Sequence, residues 1–175
     1  ARPGENPDTP LIAWRDRILS GEHLIADFAE RVAQVQDGLV ACGASTGRLV
    51  IVGVSRGGFL GAHVAAALPG RIAGLVLLVP VTDLGALEEF AGVRSDLRIQ
   101  ALRLHPLAQR LQMPIWVKSG STDTRIDQTQ TVAFVEAVQA VGGTIQHTVD
   151  PTYGHSLNPL PLLTTAAEWV RLLPA

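Results

Sequence analysis

The run Leu49-Val50-Ile51-Val52 breaks directly into Gly53-Val54-Ser55-Arg56-Gly57-Gly58, and an Ala-rich stretch to about Leu68 follows. Few arrangements satisfy that order. A short apolar run rich in β-branched residues reads as a strand buried on both faces. Gly57 to Leu68, closed by Pro69-Gly70, reads as a helix. Strand must therefore turn into helix within a few residues. Such a turn puts Ser55 at strained backbone angles. It also needs small residues two before and two after the serine, and both are Gly here. The serine hydroxyl is then lifted above the sheet at a helix N-terminus, where the dipole and free N–H groups favour negative charge.

The same alternation continues. Ile72 to Val79, Ile115 to Val117 and Thr144 to Val149 read as further strands. Gln128 to Val141, ended by Gly142-Gly143, reads as a helix with Val132, Val135 and Val138 inward. Asn158-Pro159 starts a last helix, with Asn at the cap and Pro at the first helical position; Leu163, Ala166, Val170 and Leu173 line its buried face. Before the first strand, Leu24, Phe28, Val32, Val35 and Leu39 form one helical stripe, with Gly43 as its stop. Residues 1–23 read as a loop-rich lead-in with a short helix around Trp14. Residues 80–112 read as a short lid-like excursion, with Leu97 to Leu111 its best helical candidate. Strand–helix alternation of this kind makes a mostly parallel sheet with helices on both faces, in one domain over 1–175. Sites in such sheets sit at the carboxyl ends of strands.

The residues after each strand carry the chemistry. Gly53 to Gly57 matches G-x-S-x-G, the nucleophile elbow. Asp83 follows the second strand, and Asp123 follows the third in Gly120-Ser121-Thr122-Asp123-Thr124-Arg125-Ile126-Asp127. Tyr153-Gly154-His155-Ser156 follows the fourth. The order Ser, Asp, His is thus present, each on a loop after a strand. Residues 49–173 resemble the C-terminal part of the α/β-hydrolase fold. The Gly-x-x-Asp-x-x-Ile stretch and the short middle segment are similar to the dienelactone-hydrolase and prolyl-oligopeptidase-like branches, although dienelactone hydrolases use Cys where this chain has Ser55.

The resemblance implies a serine hydrolase of carboxylesterase type, acting on a small-molecule acyl substrate. In its triad Ser55 is the nucleophile, His155 the general base and Asp123 the acid that orients the imidazole. The Arg56 backbone N–H is one oxyanion donor. Asp83 is the next acid candidate, Asp127 reads as an N-cap and Asp150 as a turn former. Tyr153, near His155, lines the substrate site or packs its own loop. A thioesterase, a small peptidase and a non-catalytic binding module on the same fold are the rival readings.

Composition excludes other classes. The 14 basic residues include one Lys, Lys118, and form no stripe that would suit nucleic acid. His23, His63, His105 and His147 show no metal-ligand spacing, and no cofactor or metal is implied. Trp116 and Trp169 read as core. No apolar run is long enough for a membrane span. Ala1 to Pro10 lacks a signal-peptide core, and the single Cys, Cys42, read as a small packing residue, fits a reducing compartment; the expectation is a cytoplasmic protein. The resembled fold places several strands before the elbow strand, and residues 1–48 hold no good strand candidate. A missing N-terminal segment, or a second chain, is therefore expected to complete the sheet.

Overall fold

A computed structural model describes residues 9–44, 49–155 and 159–173, without the side chains of 9 and 159–163. Four strands, β1 (Leu49–Val54), β2 (Ile72–Leu78), β3 (Ile115–Gly120) and β4 (Ile145–Asp150), form one sheet in the order β1-β2-β3-β4. Every pairing is parallel. The helices are α1 (Thr9–Leu19), α2 (Leu24–Ala41), α3 (Arg56–Ala67), α4 (Leu97–Gln100), α5 (Gln128–Ala140) and α6 (Pro159–Arg171). The fold is α/β.

One sheet face carries Leu75, Leu77, Ile115 and Val117, which bury against Phe59 and Ala62 of α3 and Phe134 and Val138 of α5. Val76, Leu78 and Trp116 point the other way, into a smaller core with Ala166 and Trp169 of α6. The indoles of Trp116 and Trp169 stack with centroids 6.3 Å apart. Helices thus lie on both faces, as a parallel sheet requires.

Several expectations are corrected. β1 is an edge strand, not one buried on both faces. Val52 and Val54 stand beside Val76 and Leu78 in register, yet are 42% and 49% exposed because α6 does not extend over them. The α2 stripe is not its buried face either: Ala29 and Gln36 are buried, while Phe28, Val35 and Leu39 lie exposed. Leu97 to Leu111 is not one helix. The Leu104 N–H bonds to the Thr82 carbonyl at 2.9 Å, outside any helical ladder, and Pro106 has no N–H to give. After α4 the chain therefore tightens into a 3-10 turn at His105–Arg110. Cys42 is exposed, so it is not a packing residue. At the other end, the short helix expected around Trp14 is α1, which runs for eleven residues.

Further along, α5 begins where Asp127 accepts the Thr129 N–H at 2.8 Å, an N-cap. Its buried residues are Thr131, Phe134, Val135 and Val138, whereas Val132 is 40% exposed. In α6, Ala166 is buried; the proposed cap Asn158 and the side chain of Leu163 lie outside the described residues. No described helix is long and apolar enough to cross a membrane.

The α5 helix gives a direct test of which face holds the core. Phe134→Ala is expected to cost about 3–5 kcal/mol by urea denaturation, whereas Val132→Ala should stay within about 0.5 kcal/mol. Equal effects would mean that α5 is rotated from the orientation described.

Candidate active site

The elbow is a backbone construction. Ser55 has φ 51° and ψ −115°, a positive-φ conformation that a residue with a Cβ rarely takes. Hydrogen bonds to both sides hold it there. The Ser55 N–H donates to Leu78 O at 2.9 Å, and its carbonyl accepts from Val81 N at 3.2 Å and Gly58 N at 3.0 Å. Strand β1 and helix α3 come so close that a Cβ on Gly53 would stand 2.4 Å from the Gly57 carbonyl oxygen. Gly57 differs from the sequence reading: a Cβ there would meet nothing within 4 Å. The constraint after the serine falls instead on Gly58, whose Cβ would press to 3.1 Å on Pro80.

The parallel register then gathers three loops over one end of the sheet. Ser55 Oγ lies 3.2 Å from His155 Nε2, and His155 Nδ1 lies 3.1 Å from Asp123 Oδ2. The Asp123 side chain is 1% exposed and that of His155 32%. Asp123 Oδ1 accepts the backbone N–H groups of Arg125 at 2.8 Å and Ile126 at 2.9 Å. The carboxylate is thus fixed on one oxygen by its own loop and offers the other to the imidazole. Arg56 is the first residue of α3, where N–H groups have no intrahelical acceptor.

The other acids are committed elsewhere. Asp83 Oδ2 pairs with Arg103 Nε at 2.9 Å, and its Oδ1 caps a 3-10 turn through Gly85 N at 2.8 Å. Asp127 caps α5. Asp150 pairs with Lys118 at 3.0 Å. Hydrogen bonds from the Thr152 hydroxyl and N–H, and then from Lys118, lower its carboxyl to about 2, so it stays ionised at neutral pH. Tyr153 places its ring 5.5 Å from Lys118 Nζ and does not line the cavity over Ser55. Its carbonyl instead fits against Gly120, where a Cβ would stand 2.2 Å away.

The cavity over Ser55 is about 550 Å3. Leu11 and Trp14 of α1 form one wall, Val81, Leu87 and Ile126 another, and Arg56 and Arg125 the polar rim. The Arg56 guanidinium lies 5.9 Å from the Trp14 ring centre. Arg125 pairs with Glu89, whose side chain is 5% exposed. Sequence reasoning left Trp14 open and did not single out Leu11, Arg125 or Glu89; the Arg125–Glu89 pair spans 36 residues and leaves no local pattern. His63 is buried in α3 with Nε2 2.9 Å from Leu102 O, and His147 Nε2 lies 3.0 Å from Ser119 Oγ. Neither reaches the Ser55 cavity. Among the described residues, no group of three or more His, Cys, Asp or Glu could hold a metal.

No protein-family model matches the chain, and no curated protein does. Solved structures do. Porphyromonas gingivalis dipeptidyl peptidase 4 superposes with TM-score 0.63 and 19% identity, over 71% of this chain and 19% of its own. A puromycin hydrolase gives TM-score 0.67 and 24% identity over 80% of this chain and 23% of its own. Acetyl xylan esterase 1 from Thermoanaerobacterium sp. gives 0.66 and 18% over 82% and 51%. These likenesses show the α/β-hydrolase fold. The chain spans between about a fifth and a half of the neighbours' own lengths.

The two glycines of the elbow separate by experiment. Gly53→Ala is expected to lose more than about 3 kcal/mol, as backbone clashes of this closeness do. Gly57→Ala should leave the melting temperature equal or higher, since Ala favours helix over Gly by about 1 kcal/mol. A destabilised Gly57→Ala would show that the space beside it is not open.

Proposed function

We propose that this chain carries the catalytic centre of a serine hydrolase, which cleaves a carboxylic ester or related acyl bond through an acyl-enzyme on Ser55. The observation that supports this most is the continuous line of contacts from Ser55 Oγ through His155 to Asp123, at 3.2 and 3.1 Å. A serine hydroxyl is a weak nucleophile until a base takes its proton. His155 Nε2, in reach of Oγ, takes it as Oγ attacks the acyl carbonyl, and returns it to the leaving group. His155 Nδ1–H donates to Asp123, which fixes the tautomer and stabilises the imidazolium. The Arg56 N–H faces the developing oxyanion. Water, activated by the same histidine, then releases the acid. Residues of the cavity wall, Trp14, Leu87 and Ile126 among them, favour an apolar acyl group.

The test is a fluorophosphonate probe followed by peptide mapping. Ser55 should be labelled, Ser55→Ala and His155→Ala should not, and Asp123→Asn should slow labelling and turnover by about 10⁴-fold. Loss of that size in Asp83→Asn instead would move the acid to Asp83. Matched ester, thioester and anilide substrates then separate esterase from thioesterase and peptidase. No labelling of a folded chain would favour a non-catalytic binding module.

We propose further that another length of polypeptide, an additional segment or a second chain, pairs with the outer edge of β1 and donates the second oxyanion N–H. Among the described residues no strand pairs with the outer edge of β1, where Val52 and Val54 lie exposed, and this supports the proposal. On gel filtration the chain alone is expected to self-associate, and the double substitution Val52→Lys, Val54→Lys to return it to monomer. A wild-type chain that is monomeric at every concentration would count against the proposal.

A further inference from the structure

A second cavity of about 490 Å3 lies between α2 and α3, and it shares no lining residue with the cavity over Ser55. That size falls among small-molecule pockets, which run from roughly 300 to 1,000 Å3. It forms where the first turns of α2 and the last turns of α3 meet the 98–110 segment. Small residues, Ala29 on α2 and Ala66 on α3, leave the space open, and Leu24, Leu102 and Leu107 give it apolar walls.

Its charges do not balance. Glu22, on the rim, is paired with Arg17 at 2.7 Å, and Arg98 is held by Asp96 at 2.6 Å. Arg110, also on the rim, has no acidic partner among the described residues. The one polar side chain deep in the wall is His63, 9% exposed. Its Nε2 faces the Leu102 carbonyl, which can only accept, so Nε2 carries a proton. Burial, with a smaller contribution from the nearby Arg110 charge, lowers the His63 pKa against the opposing effect of that hydrogen bond, and the ring is neutral at neutral pH. What remains is an apolar chamber with an uncompensated guanidinium at its mouth.

We propose that this cavity binds a small monocarboxylate with an apolar tail, the carboxylate on Arg110 and the tail against Leu24, Ala29, Leu102 and Leu107. An apolar tail gains by leaving water, and a guanidinium gives a carboxylate two donors in matching geometry. A neutral ligand would forgo the second contribution and a cationic one would meet Arg110. The site is independent of the chemistry proposed for Ser55.

The probe is octanoate, titrated into the whole chain by NMR with 1-octanol as its uncharged counterpart. Octanoate should give saturable shifts at Ala29, His63 and Ala66, and bind about tenfold more tightly than 1-octanol. Arg110→Gln, at an exposed position, should weaken octanoate about tenfold and leave 1-octanol unchanged. Ala66→Leu, which fills the chamber, should abolish both, with melting temperature as the check on folding. Shifts confined to the Ser55 and His155 loops, absence of saturation, or indifference to Arg110→Gln would each overturn the proposal.

Discussion

The close approach of β1 to α3 at Gly53 is the constraint on which the rest of the site depends. Because Gly53 lacks a Cβ, the Gly57 carbonyl can sit where a side chain would otherwise stand. Ser55 is thereby forced to positive φ, a conformation that costs on the order of 1–3 kcal/mol. It persists because the neighbouring loop after β2 closes over it: Leu78 accepts from its N–H and Val81 donates to its carbonyl. The second strand thus contributes no side chain to the line from Ser55 through His155 to Asp123, yet it holds the serine. Val79, at φ 41°, is strained in the same turn, and its N–H is tied to Lys118 O at 2.7 Å on β3. Strain at two adjacent strand ends is balanced by hydrogen bonds that run from β1 through β2 to β3.

The other two loops are fixed by a comparable fit. Gly120, at the end of β3, admits the Tyr153 carbonyl of the loop after β4, and Thr122 N donates to that same carbonyl at 3.2 Å. The Asp123 and His155 loops are therefore joined backbone to backbone. Lys118 with Asp150 secures the base of this unit, the pair persisting at neutral pH because Asp150 is held ionised. Glycine matters at Gly120 because the backbones touch there, and a side chain at the end of β3 would push the His155 loop away from the Asp123 loop.

This division explains what the sequence could tell. The strands and the chain order of Ser55, Asp123 and His155 were legible because each motif is local: an apolar run followed by a turn. Asp123 could be preferred to Asp127 because a cap position has its own signature, and Asp127 does cap α5. The burial of β1 was misread, since an apolar run looks the same at the centre of a sheet and at an edge that other polypeptide could cover. The α2 stripe misled for the same reason: Phe28, Val35 and Leu39 have the period of a buried face but lie exposed in this chain. The segment 97–111 failed differently. Its helical period is overridden by tertiary bonds from Leu104 to Thr82 and from His63 to Leu102, which no local window contains.

The wall of the cavity and the acid loop are joined through charges that are equally non-local. Glu89 is nearly buried and pairs with the Arg125 guanidinium, while the Arg125 backbone N–H holds Asp123 Oδ1. One residue therefore faces the cavity over Ser55 with its side chain and the Asp123 carboxylate with its main chain. From the other direction, Arg15 of α1 donates to the Glu89 carbonyl at 3.0 Å, so the helix that carries Leu11 and Trp14 docks on the same anchor. A buried ion pair adds little net stability, because desolvation offsets its attraction, but breaking it leaves an uncompensated charge. Its effect here is on geometry. It ties the helix that carries the apolar wall and the loop that carries Asp123 to one shared residue, Glu89.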